Sequence, residues 1–210
     1  MTVRPAESAV DREAIYRLRY QCYLREGAIE PSFPPRMSDR FDDLGNAWIF
    51  GVHRNGVLLG SIRLNVTTRE SRDLPALTVF SRELRHKINA GKVIVDPTRF
   101  VIDREAGGGD RLLPYVFVRI AWMAAEHFAA DYLLATVRTE HQAFYKRTLG
   151  HQVLCEARPY PSLSKPISLM SLEVPAARQA VLARHPYFAS TEQERAVMFG
   201  RGGKAAREAA

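Results

Sequence analysis

Apolar residues recur near helical spacing at Ile15, Leu18, Cys22 and Tyr23, which predicts an amphipathic helix over residues 8–25. The following stretch, 28–40, is rich in Pro, Ser and charge and reads as a loop. Two alternating apolar runs, AWIFGVHRN and VLLGSIRLNVT, are then separated by Asn55-Gly56, a strong hairpin signal. After a polar stretch come Phe80 and a short helical piece, SRELRHKI. The run KVIVDPTRFVID predicts a long strand, bent or bulged near Pro97 because proline cannot donate to a central ladder. A glycine-rich turn, REAGGGD, leads into the helix RLLPYVFVRIAWMAAEHFAA. The buried strand DYLLATVRT and the helix EHQAFYKRTLG, ended by Gly150, follow. Strands HQVLCEAR and ISLMSLEV flank the proline-punctuated PYPSLSKP. This order predicts an α+β (α/β-like) fold with a mixed, mostly antiparallel sheet. The main domain is expected over residues 1–175. Residues 176–210 are expected to form one or two short helices with a mobile Gly-, Ala- and Arg-rich end.

Composition narrows the classes. At 210 residues, with 46% apolar and 25% charged positions, the chain suits one globular domain with a sizeable core. No apolar run approaches a membrane span, so no integral membrane segment is expected. The polar N-terminus lacks a signal-peptide core, and the cytoplasm is the default expectation. Two cysteines, Cys22 and Cys155, make no disulfide framework, and the six histidines show no ligand spacing, so no metal is expected. Cys22 reads as a small buried hydrophobe. The net charge of +7 favours acidic partners. The basic residues are scattered and carry no nucleic-acid signature, so no nucleic-acid partner is expected.

Charged residues change the picture more. Arg19, Asp39, Asp42, Arg63, Asp96 and Arg99 each lie in or beside an apolar segment. Burying a charge is costly unless it is paired, so the pattern predicts a charge-lined cleft able to hold and deprotonate a small polar substrate. The structural alternative is an ion-pair network that only fixes the first helix to the sheet. The turn carrying Arg104, Gly107 and Gly109 follows a strand and opens a helix. Such a junction binds phosphate through free N–H groups, although glycine runs are common in loops.

That turn resembles the pyrophosphate-binding motif of the GCN5-related N-acyltransferase superfamily, and the order of elements resembles its fold. The resemblance makes Tyr145 the general acid that protonates a departing thiolate. Arg19 with Tyr23, Asp39-x-x-Asp42, Arg63, Phe80 and Asp96-x-x-Arg99-Phe100 resemble the acyl-homoserine-lactone synthases in order and spacing. Two positions depart: Asp96 stands where a glutamate is expected, and the tryptophan after the first helix is absent. The closing segment, residues 141–174, resembles the long-chain N-acyl amino acid synthases, and with the first helix that similarity spans residues 10–175. The implied activity is transfer of a fatty acyl group from the phosphopantetheine of acyl carrier protein, or from acyl-CoA, to the amine of an amino acid. No permanently bound cofactor is implied.

Such chemistry needs a carboxylate base and oxyanion donors. Asp96 is the first candidate base. Arg63 or Arg99 is the candidate clamp for the acceptor's carboxylate, and Phe100, Ile102, Val116 and Phe117 are candidates for an acyl tunnel. Arg104 and Arg111 are candidates to meet an acidic carrier protein. The competing readings are a lactone synthase using S-adenosylmethionine, an acetyl-CoA-dependent acetyltransferase, and a non-catalytic lipid-binding sensor.

Overall fold

The computed structural model describes residues 1–107 and 109–200. The C-terminal end expected to be mobile, 201–210, lies outside the described residues.

Helix α1 (Ala9–Arg25) starts at a capping box in which the Ser8 side chain accepts from the Asp11 N–H and Asp11 reciprocates. Strands β2 (Ala47–Arg54) and β3 (Val57–Val66) form the expected hairpin, with Asn55 at φ 50° and Gly56 at φ 81°. Positive φ at both turn residues matches the twist of a two-residue hairpin loop. A short edge strand, β1 (Thr2–Pro5), pairs antiparallel with β2. The sequence reading missed it because four mostly exposed residues carry no alternation. Helix α2 (Leu77–Asn89) begins four residues before its expected start and is kinked at Phe80.

The rest of the chain supplies β4 (Ile94–Ile102), α3 (Leu113–His127), β5 (Tyr132–Val137), α4 (Gln142–Leu149), β6 (Gln152–Arg158) and β7 (Ile167–Glu173). Two further helices are α5 (Val174–Arg184) and α6 (Glu192–Phe199). Val181 of α5 and Phe199 of α6 are buried in the same core cluster as α3.

The seven strands run in the order β1-β2-β3-β4-β5-β7-β6. Every neighbouring pair is antiparallel except β4 with β5. Side chains alternate across a sheet, and here the two faces carry different chemistry. Phe50, Ile62, Leu64 and Val95 pack with α3 in the larger core cluster. Ile49, Arg63, Thr98, Asp96 and Ile94 share the opposite face by register, under α1 and α2.

Two irregularities position the site. Pairing of β4 with β5 is confined to Ile94–Tyr132 and Val95–Leu133. Beyond those pairs β5 continues against β7, so the sheet opens as a V between β4 and β5. The second is a bulge in β4: Ser61 pairs with Val101, but Arg63 pairs with Thr98. The extra residue is accommodated at Arg99, which has φ 53°. The sequence placed the bulge near Pro97, whereas Pro97 keeps register with Leu64 and the break comes two residues later. Among the described residues no helix is long and apolar enough to cross a membrane.

Candidate active site

Five of the six charged residues singled out by sequence meet on the α1 side of the sheet. The Asp39-x-x-Asp42 spacing is a capping box around the 3₁₀ turn Arg40–Asp42: Asp39 Oδ1 accepts from Phe41 N–H (2.9 Å), and Asp42 Oδ2 accepts from Asp39 N–H (2.9 Å). Both carboxylates are thereby aimed at the sheet. Arg19 of α1 donates to Asp42 Oδ1 at 2.7 Å, and Arg63 Nη1 lies 3.1 Å from the same oxygen. Arg63 also donates to Asp39 Oδ1 (2.5 Å) and Thr98 Oγ1 (3.0 Å). Arg99 donates to Asp39 Oδ2 through Nη2 (2.6 Å) and Nε (3.2 Å).

Arg19, Asp42 and Arg63 are buried, and only mutual pairing makes that tolerable. Burial alone would raise the Asp39 carboxyl, but hydrogen bonds and charge from Arg63 and Arg99 hold it at about 2. Asp39 is therefore a fixed anion and a poor base. Arg99 adopts a left-handed backbone that costs on the order of 1–3 kcal/mol for a non-glycine residue. Its pair of bonds to Asp39 offsets that strain. With three guanidiniums and two carboxylates, the network keeps one surplus positive charge.

Asp96 stands apart from the network. It is fully buried opposite Asn65, its Oδ2 accepts from Ala76 N–H (2.8 Å), and its Oδ1 has no hydrogen-bond partner. Burial pushes its carboxyl from the ordinary 3.8 to about 7, against the opposing effects of the Ala76 N–H and the Arg63 charge. Phe80 does not line the cavity described below. It is buried under α2 with Leu84, Ile94 and Leu134, since the kink in α2 turns it into the sheet.

A cavity of about 540 Å³ opens where β4 and β5 diverge, and most of its wall is apolar. Arg63, Arg99, Tyr23, Phe100, Tyr145 and Arg104, six of the candidate residues, line it. Arg19, Asp39, Asp42 and Asp96 are not on its wall. They stand behind it, Asp96 beneath Ala76 and beside Pro97, both of which line the cavity. Of the four candidate tunnel residues, Phe100 and Ile102 line it. Phe117 is instead core, 4.8 Å from the Phe100 ring centroid, and Val116 packs against the same core cluster.

Burial, with a smaller contribution from Tyr23, raises the Tyr145 hydroxyl well above the ordinary tyrosine value, so it stays protonated at neutral pH. Buried His151 packs edge-on against its ring at 5.7 Å. Burial pushes His151 down to about 4, so the imidazole is neutral at neutral pH.

The glycine turn does not join this cavity as one unit. Gly107 and Gly109 line a separate shallow depression with Arg54, Asp110 and Arg111. A Cβ at Gly107 would lie 2.7 Å from Leu113 Cδ2, so that buried side chain would have to shift. At the start of α3, Asp110 Oδ1 accepts from Leu112 N–H (2.9 Å) and its other oxygen pairs with Arg54. The protein's own carboxylate thus occupies the anion-binding end of the helix.

Sequence reasoning missed Glu26, Arg138, His141 and Tyr160, which also line the cavity. They come from a helix end and two loops, where no periodic signal exists to find them. Among the described residues there is no cluster of His, Cys, Asp or Glu suited to a metal.

Residues 14–173 match the family of the N-acyl amino acid synthase FeeM. The solved FeeM structure, an N-acyl amino acid synthase from uncultured soil microbes, superposes with a TM-score of 0.72 at 24% identity, covering 85% of this chain and 98% of that one. An acyl-CoA N-acyltransferase from Pseudomonas aeruginosa gives a TM-score of 0.55 at 21% identity, covering 81% and 96%. The acyl-homoserine-lactone synthase LasI gives 0.64 at 16% identity, covering 86% and 93%. No curated sequence is significantly similar to the chain. The fold is that of the GCN5-related N-acyltransferases, and the chain is an N-acyltransferase that belongs to the FeeM family of N-acyl amino acid synthases.

Proposed function

We propose that the cavity joins a fatty acyl group, carried as a thioester on acyl carrier protein, to the amine of an amino acid. The observation that carries this reading is the apolar cleft between β4 and β5, bounded by a protonated Tyr145 and backed by a carboxyl poised near neutrality. The acceptor's carboxylate lies against Arg99, whose network holds a surplus positive charge. Asp96 takes a proton from the acceptor's ammonium through an intervening water. A base whose pKa lies near the working pH suits that step. The freed amine attacks the thioester carbonyl, the C–N bond forms, and the C–S bond breaks. Tyr145 gives its proton to the departing thiolate and is reprotonated, through solvent, by the second proton that leaves the acylated nitrogen, while Asp96 releases the first proton to solvent.

Two features favour a carrier protein over coenzyme A. The start of α3, where the resemblance places a pyrophosphate, is filled by Asp110. The chain's net charge of +7 also favours approach of an acidic partner.

Acyl carrier protein thioesters, acyl-CoAs and a panel of amino acids, incubated with the protein and analysed by mass spectrometry, test the reading. N-acyl amino acid formed from the carrier thioester is the expected result. Product from acetyl-CoA alone, or a lactone formed from S-adenosylmethionine, overturns it.

A further inference from the structure

Helix α4 carries Tyr145 to the cleft, yet its N-terminus has no capping side chain. Its other end is anchored from α5: Arg184 donates to the Arg147 carbonyl at 3.0 Å, and His185 Nε2 lies 2.9 Å from the Thr148 carbonyl. The N-terminal end is tied down by a side chain instead. Gln142, the first residue of α4, is buried, and its Nε2 donates to Ser168 Oγ at 2.9 Å. Ser168, wholly buried on β7, donates its own proton to the Val137 carbonyl at 2.8 Å. Val137 ends β5, pairs with Ser168 in the β5–β7 ladder and lines the cavity. These two bonds in series therefore tie α4 to the lip where β5 has parted from β4.

The direction of each bond is fixed. A carbonyl only accepts, so the Ser168 proton is committed to Val137 and the Ser168 oxygen is left to accept, which sets the Gln142 amide with its nitrogen inward. Burying an amide and a hydroxyl costs more than burying apolar side chains in the same space. An apolar contact, however, lets a helix slide or roll, whereas directional bonds hold it at one height above the strand end. Gln142 and Tyr145 stand one helical turn apart on the same side of α4. A shift of that turn therefore carries the tyrosine hydroxyl with it.

We infer that Gln142 and Ser168 are positioning residues: through α4 they hold the Tyr145 hydroxyl where the departing sulfur leaves the thioester. This role rests on Tyr145 being the acid of the proposed reaction. Neither residue lines the cavity, so neither touches the donor or the acceptor. They act on the proton transfer alone, and a displacement of about 1 Å is enough to slow a reaction that depends on placement.

The test presents one acyl chain as an alkyl thioester and as an aryl thioester, whose thiolate leaves without a proton. Gln142→Met keeps the side chain's bulk and removes its donor. Its kcat with the alkyl thioester is expected to fall about tenfold, the size of a lost buried hydrogen bond. Its KM is expected to stay near that of wild type, and its kcat with the aryl thioester to hold within about twofold. Ser168→Ala is expected to behave alike. Added to Tyr145→Phe, Gln142→Met is expected to cost nothing further, because no hydroxyl is left to place. Equal losses with both donors, a loss confined to KM, or an additive loss in the double variant overturns the inference and leaves the pair a plain anchor.

Should either single variant fail to fold, the other decides, alone and combined with Tyr145→Phe. Tyr145→Phe by itself separates the two readings. If it loses both donors equally, the acid role has failed and the positioning role falls with it. If it discriminates between the donors and Gln142→Met does not, only the positioning role is overturned. Turnover of neither donor by wild type overturns both.

Discussion

Replacing Asp96 with asparagine should stabilise the protein at alkaline pH while disabling it. Asp96 is fully buried, and although the Arg63 charge opposes the rise, its carboxyl sits at about 7 where an ordinary aspartate has 3.8. A raised acid keeps its proton longer in the native state than in the unfolded one. Stability from this group is therefore complete below about pH 4 and is lost as pH rises towards 7, at about 1.4 kcal/mol per pH unit. Asparagine does not titrate, so the variant escapes that loss. Between pH 5 and pH 8 the stability of Asp96→Asn relative to wild type should rise by roughly 3 kcal/mol. Asparagine's own packing cost cancels in this difference, as do all other titrating groups common to both proteins. Urea denaturation of the two proteins at both pH values measures the difference. Acyl transfer by the same samples should fall on the order of a hundredfold or more, as for a lost base. A stability gap that does not change with pH would show that Asp96 is not held neutral by burial, and undiminished turnover would remove it from the base role.

Tyr145→Phe should lower kcat on the order of a hundredfold with an alkyl thioester donor. The loss should shrink with an aryl thioester, whose thiolate needs no proton, and an equal loss for both donors would refute the acid role. Gly60→Ala should cost about 1–3 kcal/mol in chemical denaturation, because its Cβ would press on the Val101 carbonyl and lie 2.8 Å from Phe117 Cζ. Unchanged stability would show that the β3–β4 wall yields easily. Asp39, held at about 2, contributes stability present above pH 4 and lost as pH falls towards 2, so Asp39→Asn should flatten the acid limb of the stability profile. An acid limb identical to that of wild type would refute its pairing with Arg63 and Arg99.

The element list was legible because it depends on near neighbours. Helical spacing in 8–25, the Asn55-Gly56 turn and the αL cap at Gly150 are properties of a few adjacent residues. Charges embedded in apolar segments likewise pointed to a charge-lined cleft or a buried ion-pair network, whatever the partners. The sequence did not show which pairs form, nor that Asp96 stays out of the network, since that depends on strand register and on α2 bringing the Ala76 N–H onto it. Phe80 carries the same limit: its place in a spacing pattern did not show that it lies at a kink in α2 and packs into the core. The cavity itself has no local signature. It exists because β5 leaves β4 after two residue pairs to continue on β7, and because Arg99 takes a positive φ. Composition and periodicity therefore determined most helices and strands of this chain, although not the short edge strand β1. Only the tertiary structure decided where the sheet opens, because a gap between strands is set by contacts far apart in sequence.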